Sequence, residues 1–211
     1  MNQSEQINIL LTEIKRLKAI AEVGLLYCKN EYDIERYHEV HASSLRMLNQ
    51  ISGHDIDTLK VNLPMSTDYP TVKVDVRCLI LNDEKKVLLV KESVDGKWSL
   101  PGGWADIGQS PKEVAIKEAK EETGLDVEVR TLLAVFDKKM HPHPPEAFYV
   151  YKLMFHCHAI SLHLSKGFDV LDAEYFDISA LPELSENRIL KSQIEIGYQK
   201  IIAGNRETYF D

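Results

Sequence analysis

The sequence predicts an α/β protein, with a helical hairpin over residues 1–66 and a mixed-sheet domain over residues 67–211. Three observations predict it. Apolar residues recur at three- and four-residue steps through the first fifty positions, alternation takes over near Val72, and a doubly capped helix stands between extended segments around Lys117.

Residues 3–28 read as one amphipathic helix, with Ile7, Leu10, Leu11, Ile14, Leu17, Ile20, Ala21 and Leu25 as its apolar stripe. A second runs from Asp33 to Ile51 through Ile34, Tyr37, Val40, Leu45 and Leu48, and Gly53 suits its stop. Two helices alone cannot bury both stripes, so the hairpin must pack on the rest of the chain or on a second copy. Pro64 to Thr71, with two prolines among small polar residues, reads as a linker.

Beyond it, Val72, Val74, Val76, Cys78 and Ile80 alternate with Lys73, Asp75 and Arg77, which predicts a strand. Asn82-Asp83-Glu84-Lys85 turns the chain into a second strand over Lys86–Lys91, and Asp95-Gly96 turns it again before Trp98-Ser99-Leu100. Ser110, Pro111 and Glu113 form a capping sequence, and Gly124 a C-terminal stop, for a helix over Pro111–Thr123. Strands are expected over Val127–Asp137 and Ala147–His158, with a last edge segment at Glu174–Asp177. A terminal helix is expected from Ser185.

Thirty-three acidic against 25 basic residues give a net charge of −8 with no basic block, which disfavours a nucleic-acid-tracking protein. An acidic chain that handles phosphate must gather positive charge locally, and a divalent cation is one source. Cys28, Cys78 and Cys157 show no metal or disulfide spacing and read as buried or idle thiols. Neither a signal peptide nor a membrane-length apolar run is recognisable, so a cytoplasmic protein without a membrane partner is expected.

In the capped helix, Glu118, Glu121 and Glu122 lie three and four positions apart, close enough to repel one another. A solvated acidic face is one reading. The other is a site for a hard divalent cation with oxygen ligands, such as Mg²⁺.

The order Gly103, Gln109 and Lys117-Glu118-Ala119-Lys120-Glu121-Glu122-Thr123-Gly124-Leu125 resembles the Nudix box in every spacing. Trp98-Ser99-Leu100-Pro101-Gly102-Gly103 resembles the segment that leads into that box, and Asp172–Asp177 with Leu181-Pro182-Glu183 its last strand and turn. The resemblance implies a Nudix-type α/β/α sandwich with a mixed sheet, working as a pyrophosphohydrolase with Mg²⁺, or Mn²⁺ in its place. It further implies Glu118, Glu122 and Glu121 as metal ligands, Glu121 with Glu118 as the catalytic carboxylates, and Gly102 and Gly103 as the phosphate-side loop. The implied substrate is a small nucleotide, a nucleoside diphosphate linked to another moiety, which yields a nucleoside monophosphate and a phosphorylated remainder. Two departures stand out: Gln109 replaces the family's first Glu, and Lys117 replaces its Arg, without the bidentate fork.

The hairpin, with Tyr27 to Tyr37 and Tyr69-Pro70, resembles the extension of a bacterial Nudix group that includes CDP-choline pyrophosphatases and ADP-ribose hydrolases, and this implies a homodimer. Hydrolysis of nucleoside triphosphates or RNA 5′ ends is the alternative within enzymes. A non-catalytic ligand sensor is the alternative outside them, and the unbroken acidic trio speaks against it. Among secondary candidates, Arg77 reads as a phosphate contact or a solvent-facing strand residue, and Trp98 as a base-stacking or core residue. Asp169 reads as a late-loop acid near the metal or a plain loop residue. His141 and His143, in the proline-stiffened His141-Pro142-His143-Pro144-Pro145, read as substrate-binding residues or as parts of a rigid surface loop.

Overall fold

Helix α1 spans Gln3–Tyr27, and Asn30 then opens α2 (Glu31–Ser52) by accepting the N–H groups of Tyr32 and Asp33 on its side chain. Gly53 ends α2 in left-handed backbone, as expected. This computed structural model describes residues 3–53, 55–146 and 148–211. A short helix not expected from the sequence, α3 (Ile56–Asn62), starts on the Asp55 side chain; seven residues are too few for a periodic pattern to show. Leu11 and Ile14 of α1, Leu45 and Leu48 of α2, Leu59 of α3 and the following Leu63 form one apolar cluster. The Lys15 ammonium donates to the carbonyls of Glu146 and Phe148, so a distant segment joins the hairpin. The first compact unit therefore comprises Met1–Val72 with Pro145–Tyr149.

The second unit comprises Lys73–Pro144 and Val150–Asp211. Its strands are β1 (Lys73–Ile80), β2 (Val87–Glu92), β3 (Trp98–Ser99), β4 (Val127–Asp137), β5 (Val150–Ala159), β6 (Val170–Phe176) and β7 (Tyr209–Phe210). Its helices are α4 (Pro111–Thr123) and α5 (Lys191–Ile202). One sheet is mixed, in the order β1-β5-β4-β7, with β1 parallel to β5 and β5 antiparallel to β4. The other has the order β3-β2-β6 and is antiparallel.

From Asp75 onward both faces of β1 are buried, so the solvent-facing reading of Arg77 does not hold. Val76, Cys78 and Ile80 pack with Val114, Ala115 and Ala119 of α4, while Leu79 packs with Ile194 of α5 on the opposite side. A strand that pairs in parallel and is covered on both faces can alternate in polarity without reaching water only if its polar members find partners inside.

Other differences are at ends. The strand expected to start at Ala147 begins at Val150, and Ala147 itself lies outside the described residues. β6 starts before Glu174, and α5 starts at Lys191 rather than Ser185. Residues 185–190 are held as turns, with Ser185 N–H donating to the Trp98 carbonyl and Ile189 fully buried ahead of the helix. No helix among the described residues is long and apolar enough to cross a membrane.

Candidate active site

α4 is fixed at both ends before any packing is considered. The Ser110 side chain accepts the Glu113 N–H while the Glu113 carboxylate accepts the Ser110 N–H, Pro111 opens the helix, and the Gly124 N–H closes on the Lys120 carbonyl. Apolar Val114, Ala115 and Ala119 set the helix rotation against β1. That rotation divides the acidic trio. Glu122 is buried at 5 % exposure and Glu118 is partly buried beside it, whereas Glu121 faces solvent. Consecutive helical residues point about 100° apart, so Glu121 and Glu122 diverge, with Glu118 between them one turn earlier.

The pocket wall comes from residues 101–105, which run along β1. Val76 N–H donates to the Gly103 carbonyl, Cys78 N–H to Pro101, and Ala105 N–H to Val74. Gly102 adopts φ 146°, and a side chain there would collide with the Val76 carbonyl oxygen and sit 2.9 Å from the Arg77 Cα. Only glycine allows this approach. The Gly102 N–H then donates to Glu122 Oε2 at 2.8 Å. A side chain at Gly103 would press on the Glu118 carboxylate, 3.0 Å away. Both glycines expected to shape a phosphate loop thus lie directly against the two inner glutamates.

Burial raises the Glu122 carboxyl to about 8; Arg77 and the Gly102 N–H pull it down, while Glu92 and Glu118 push it up. Glu118 is also raised, first by burial and then by its acidic neighbours Glu121 and Asp169, against Lys117 and Arg77. Asp169, an exposed loop residue, therefore stands near enough to Glu118 to be felt. Lys117 reaches Asp106 at 2.9 Å, and Glu118 and Glu121 at 3.7 Å each. Gln109 is exposed at the start of the helix. The loop after β5 crosses the end of α4: Ser165 N–H donates to the Thr123 carbonyl and Gly167 N–H to the Glu122 carbonyl.

Arg77, read as a phosphate contact or a solvent-facing residue, is engaged inside the protein and does not face solvent. It is buried, its Nε donates to Asp75 at 3.0 Å, and its Nη1 donates to the Leu100 carbonyl at 3.0 Å and the Ser99 hydroxyl at 3.3 Å. Asp75 also accepts the buried Lys152 ammonium. Burial alone would raise Asp75, but Arg77 and Lys152 reverse the effect and hold its carboxyl below the usual range. Lys152 is pushed down to about 8 by burial, against the pull of Asp75. Glu92 pairs with Arg188 at 2.8 Å and lies 4.0 Å from Arg77. These residues were missed from the sequence. The readable signal was the Asp75/Arg77 pair at two-residue spacing in an apolar strand, where opposite charges on one face neutralise each other.

The two loop histidines also turn inward. His141 places Nε2 3.0 Å from the Asp211 carboxylate and its ring edge-on to Phe136. His143, 6 % exposed, donates through Nδ1 to the Glu186 carbonyl at 2.5 Å, and its Nε2 has no partner among the described residues. Internal contacts thus account for both rings. Trp98 packs edge-on to Phe176, the core reading.

No three His, Cys, Asp or Glu side chains among the described residues are drawn together as a metal cage. Glu118 and Glu122 nevertheless offer an oxygen-only donor set in a place where negative charge is disfavoured without a compensating cation, which fits a hard divalent ion.

Residues 71–194 match the NUDIX domain family, and residues 8–62 match the UDP-X-like, N-terminal oligomerisation domain. The YjhB protein of Bacillus subtilis (strain 168), provisionally named an ADP-ribose pyrophosphatase, is 38% identical over 95% of this chain and 96% of its own. The crystal structure of an ADP-ribose pyrophosphatase from Streptococcus suis 89-1591 is 35% identical with a TM-score of 0.61, covering 67% of this chain and 100% of that one. A UDP-X diphosphatase structure is 35% identical with a TM-score of 0.62 and covers 97% and 99%. With the capped glutamate helix, the glycine loop against it and relatives that run its full length, this chain belongs to the Nudix hydrolases, as a pyrophosphohydrolase of the ADP-ribose pyrophosphatase and UDP-X diphosphatase kind.

Proposed function

We propose that this enzyme hydrolyses a nucleoside diphosphate linked to a second moiety, releasing a nucleoside monophosphate and a phosphorylated remainder, with Mg²⁺ as its metal and Mn²⁺ able to replace it. The observation that carries the reading is the burial of Glu122 beneath the Gly102 N–H, with Glu118 beside it against Gly103. Glu118 and Glu122 would hold the ion. A bound divalent cation neutralises phosphate charge and lowers the pKa of a bound water. The chain's own part is orientation and proton handling. The Gly102 N–H fixes one oxygen of Glu122, and the absence of side chains at Gly102 and Gly103 leaves the backbone open to an incoming phosphate. Glu121, solvent-facing and 3.7 Å from the Lys117 ammonium, is free to serve as a shared ligand or to take a proton with Glu118.

ADP-ribose is the first substrate to test, because relatives of that name align with this chain. UDP-linked compounds stand second, on the full-length likeness to a UDP-X diphosphatase, and CDP-choline third, from the hairpin resemblance. We also propose a homodimer formed through the hairpin. Leu10, Leu17, Ile20 and Leu26 of α1 are exposed within one chain, and their segment falls in the region matched to an oligomerisation domain. The test is product identification across these substrates with Mg²⁺, Mn²⁺ or neither, alongside sedimentation. Turnover confined to nucleoside triphosphates overturns the substrate class, turnover unaffected by chelation overturns the metal, and a monomer at all concentrations overturns the dimer.

A further inference from the structure

On the face of the mixed sheet opposite α4, the second unit has a cavity of about 420 Å³ at the C-terminal end of α5. Its walls include Arg130, His156, His158, Lys200 and Arg206, with Glu128 as the one carboxylate. Each is placed there by a specific feature. His156 and His158 alternate with Cys157, which packs toward α4, so both histidines project to the α5 side with Met154. The β4–β5 register slips between Val129 and Thr131, leaving Arg130 as the unpaired residue of the bulge. Past α5, Asn205 N–H donates to the Lys200 carbonyl and Glu207 N–H to the Asn205 side chain. This turn holds Arg206 at the rim.

The charges do not cancel. Glu128 is already engaged by Arg130 at 2.9 Å. The Lys200 ammonium donates to the neutral Glu207 carbonyl, and neither Lys200 nor Arg206 has an ion-pair partner among the described residues. Half-buried His156 has no hydrogen bond among the described residues, which leaves ring N–H capacity facing the cavity. Its proton affinity is lowered by burial and then by His158, Arg130 and Lys85, as in a cationic setting awaiting an anion. At the end of α5, the Ala203, Gly204 and Asn205 N–H groups close on the Gln199, Ile201 and Lys200 carbonyls, which leaves the Lys200 and Arg206 side chains to set the sign of the charge at the rim. In a chain of net charge −8, such a local excess of cations is not background.

We propose that this cavity is a second binding site, separate from the glutamate corner, for a small polyanion carrying at least two phosphate charges. The volume exceeds one phosphate, and the Arg206 guanidinium fork with the Lys200 ammonium, beside two imidazoles, offers two separate cationic centres to the oxygens of more than one phosphate group.

Calorimetry of the full chain with inorganic pyrophosphate, in buffer freed of divalent ions, tests this. Saturable binding with a Kd at or below about 1 mM is expected, together with shifts of the His156 and His158 ring resonances. Arg206→Ala, which removes no contact within the described residues, should weaken binding at least tenfold while leaving the melting temperature unchanged. His156→Gln should weaken it less. Absence of saturable heat overturns the proposal. So does heat that persists undiminished in Arg206→Ala, which would place the anion elsewhere, and so does binding that moves no histidine resonance.

Discussion

Asp75 and Glu122 are buried to nearly the same degree, 3 % and 5 % exposed, yet they are left with opposite proton affinities. Asp75 sits between two cations, Arg77 and Lys152, which together outweigh the cost of burial. Glu122 has one cation at a distance and two acidic neighbours, so burial wins and its carboxyl rises to about 8. The Asp75 carboxylate is fully engaged by cations, as a buried anion in a scaffold must be. Glu122 lacks that compensation, a state that the proposed cation would relieve. The difference separates scaffold from site more sharply than burial or sequence does.

Breaking each side should therefore have a different signature. Glu122→Gln is expected to lower kcat by roughly 10²–10⁴-fold without loss of melting temperature, read by substrate turnover and calorimetry on the same sample. A variant that keeps full turnover would remove Glu122 from the mechanism. Asp75→Asn leaves two buried cations without their shared anion and should cost roughly 3–5 kcal/mol of stability, seen as a lowered denaturant midpoint. A midpoint equal to wild type would mean that the two cations do not need that anion. Gly102→Ala imposes a disfavoured backbone and a clash on β1, worth about 1–3 kcal/mol, and should lower kcat because the Glu122 oxygen loses its tether. The smallest effect concerns pH. His143 is held at about 4 when folded against 6.5 ordinarily, so between these values the unfolded chain binds the extra proton. Stability should fall as pH drops through that window, by at most about 1.4 kcal/mol per pH unit. His143→Asn, which keeps a donor toward the Glu186 carbonyl, should flatten that slope in a pH series of melting curves. An unchanged slope would assign it to other groups.

What could be read in advance divides along the same line. Helix α4 was legible to the residue because both of its stops are local: Ser110, Glu113 and Gly124 act on neighbours a few positions away. Helices α1 and α2 were legible from periodicity, while α3 and the two-residue β7 are too short to have one. Lys152, Glu92 and Arg188 were not legible as partners of Asp75 and Arg77, because nothing local marks a pairing that the sheet register creates. The same limit explains Arg77, whose charge suits a phosphate but whose strand is covered on both sides. Glu118 and Glu122 could be placed together by helical spacing. The turning of Glu121 toward water depends on which face Val114 and Ala119 bury, a matter of packing.

Gly167 has a consequence for how this domain can vary. The loop carrying it touches the end of α4 through main-chain atoms, and a side chain at Gly167 would strike the Glu121 carbonyl, while neighbouring Leu162 and Phe168 point outward almost fully exposed. Relatives can therefore redecorate the outer surface of this crossing, but its fulcrum tolerates no substituent. A methyl group at that one position would pry the loop, and Asp169 with it, away from the glutamate helix.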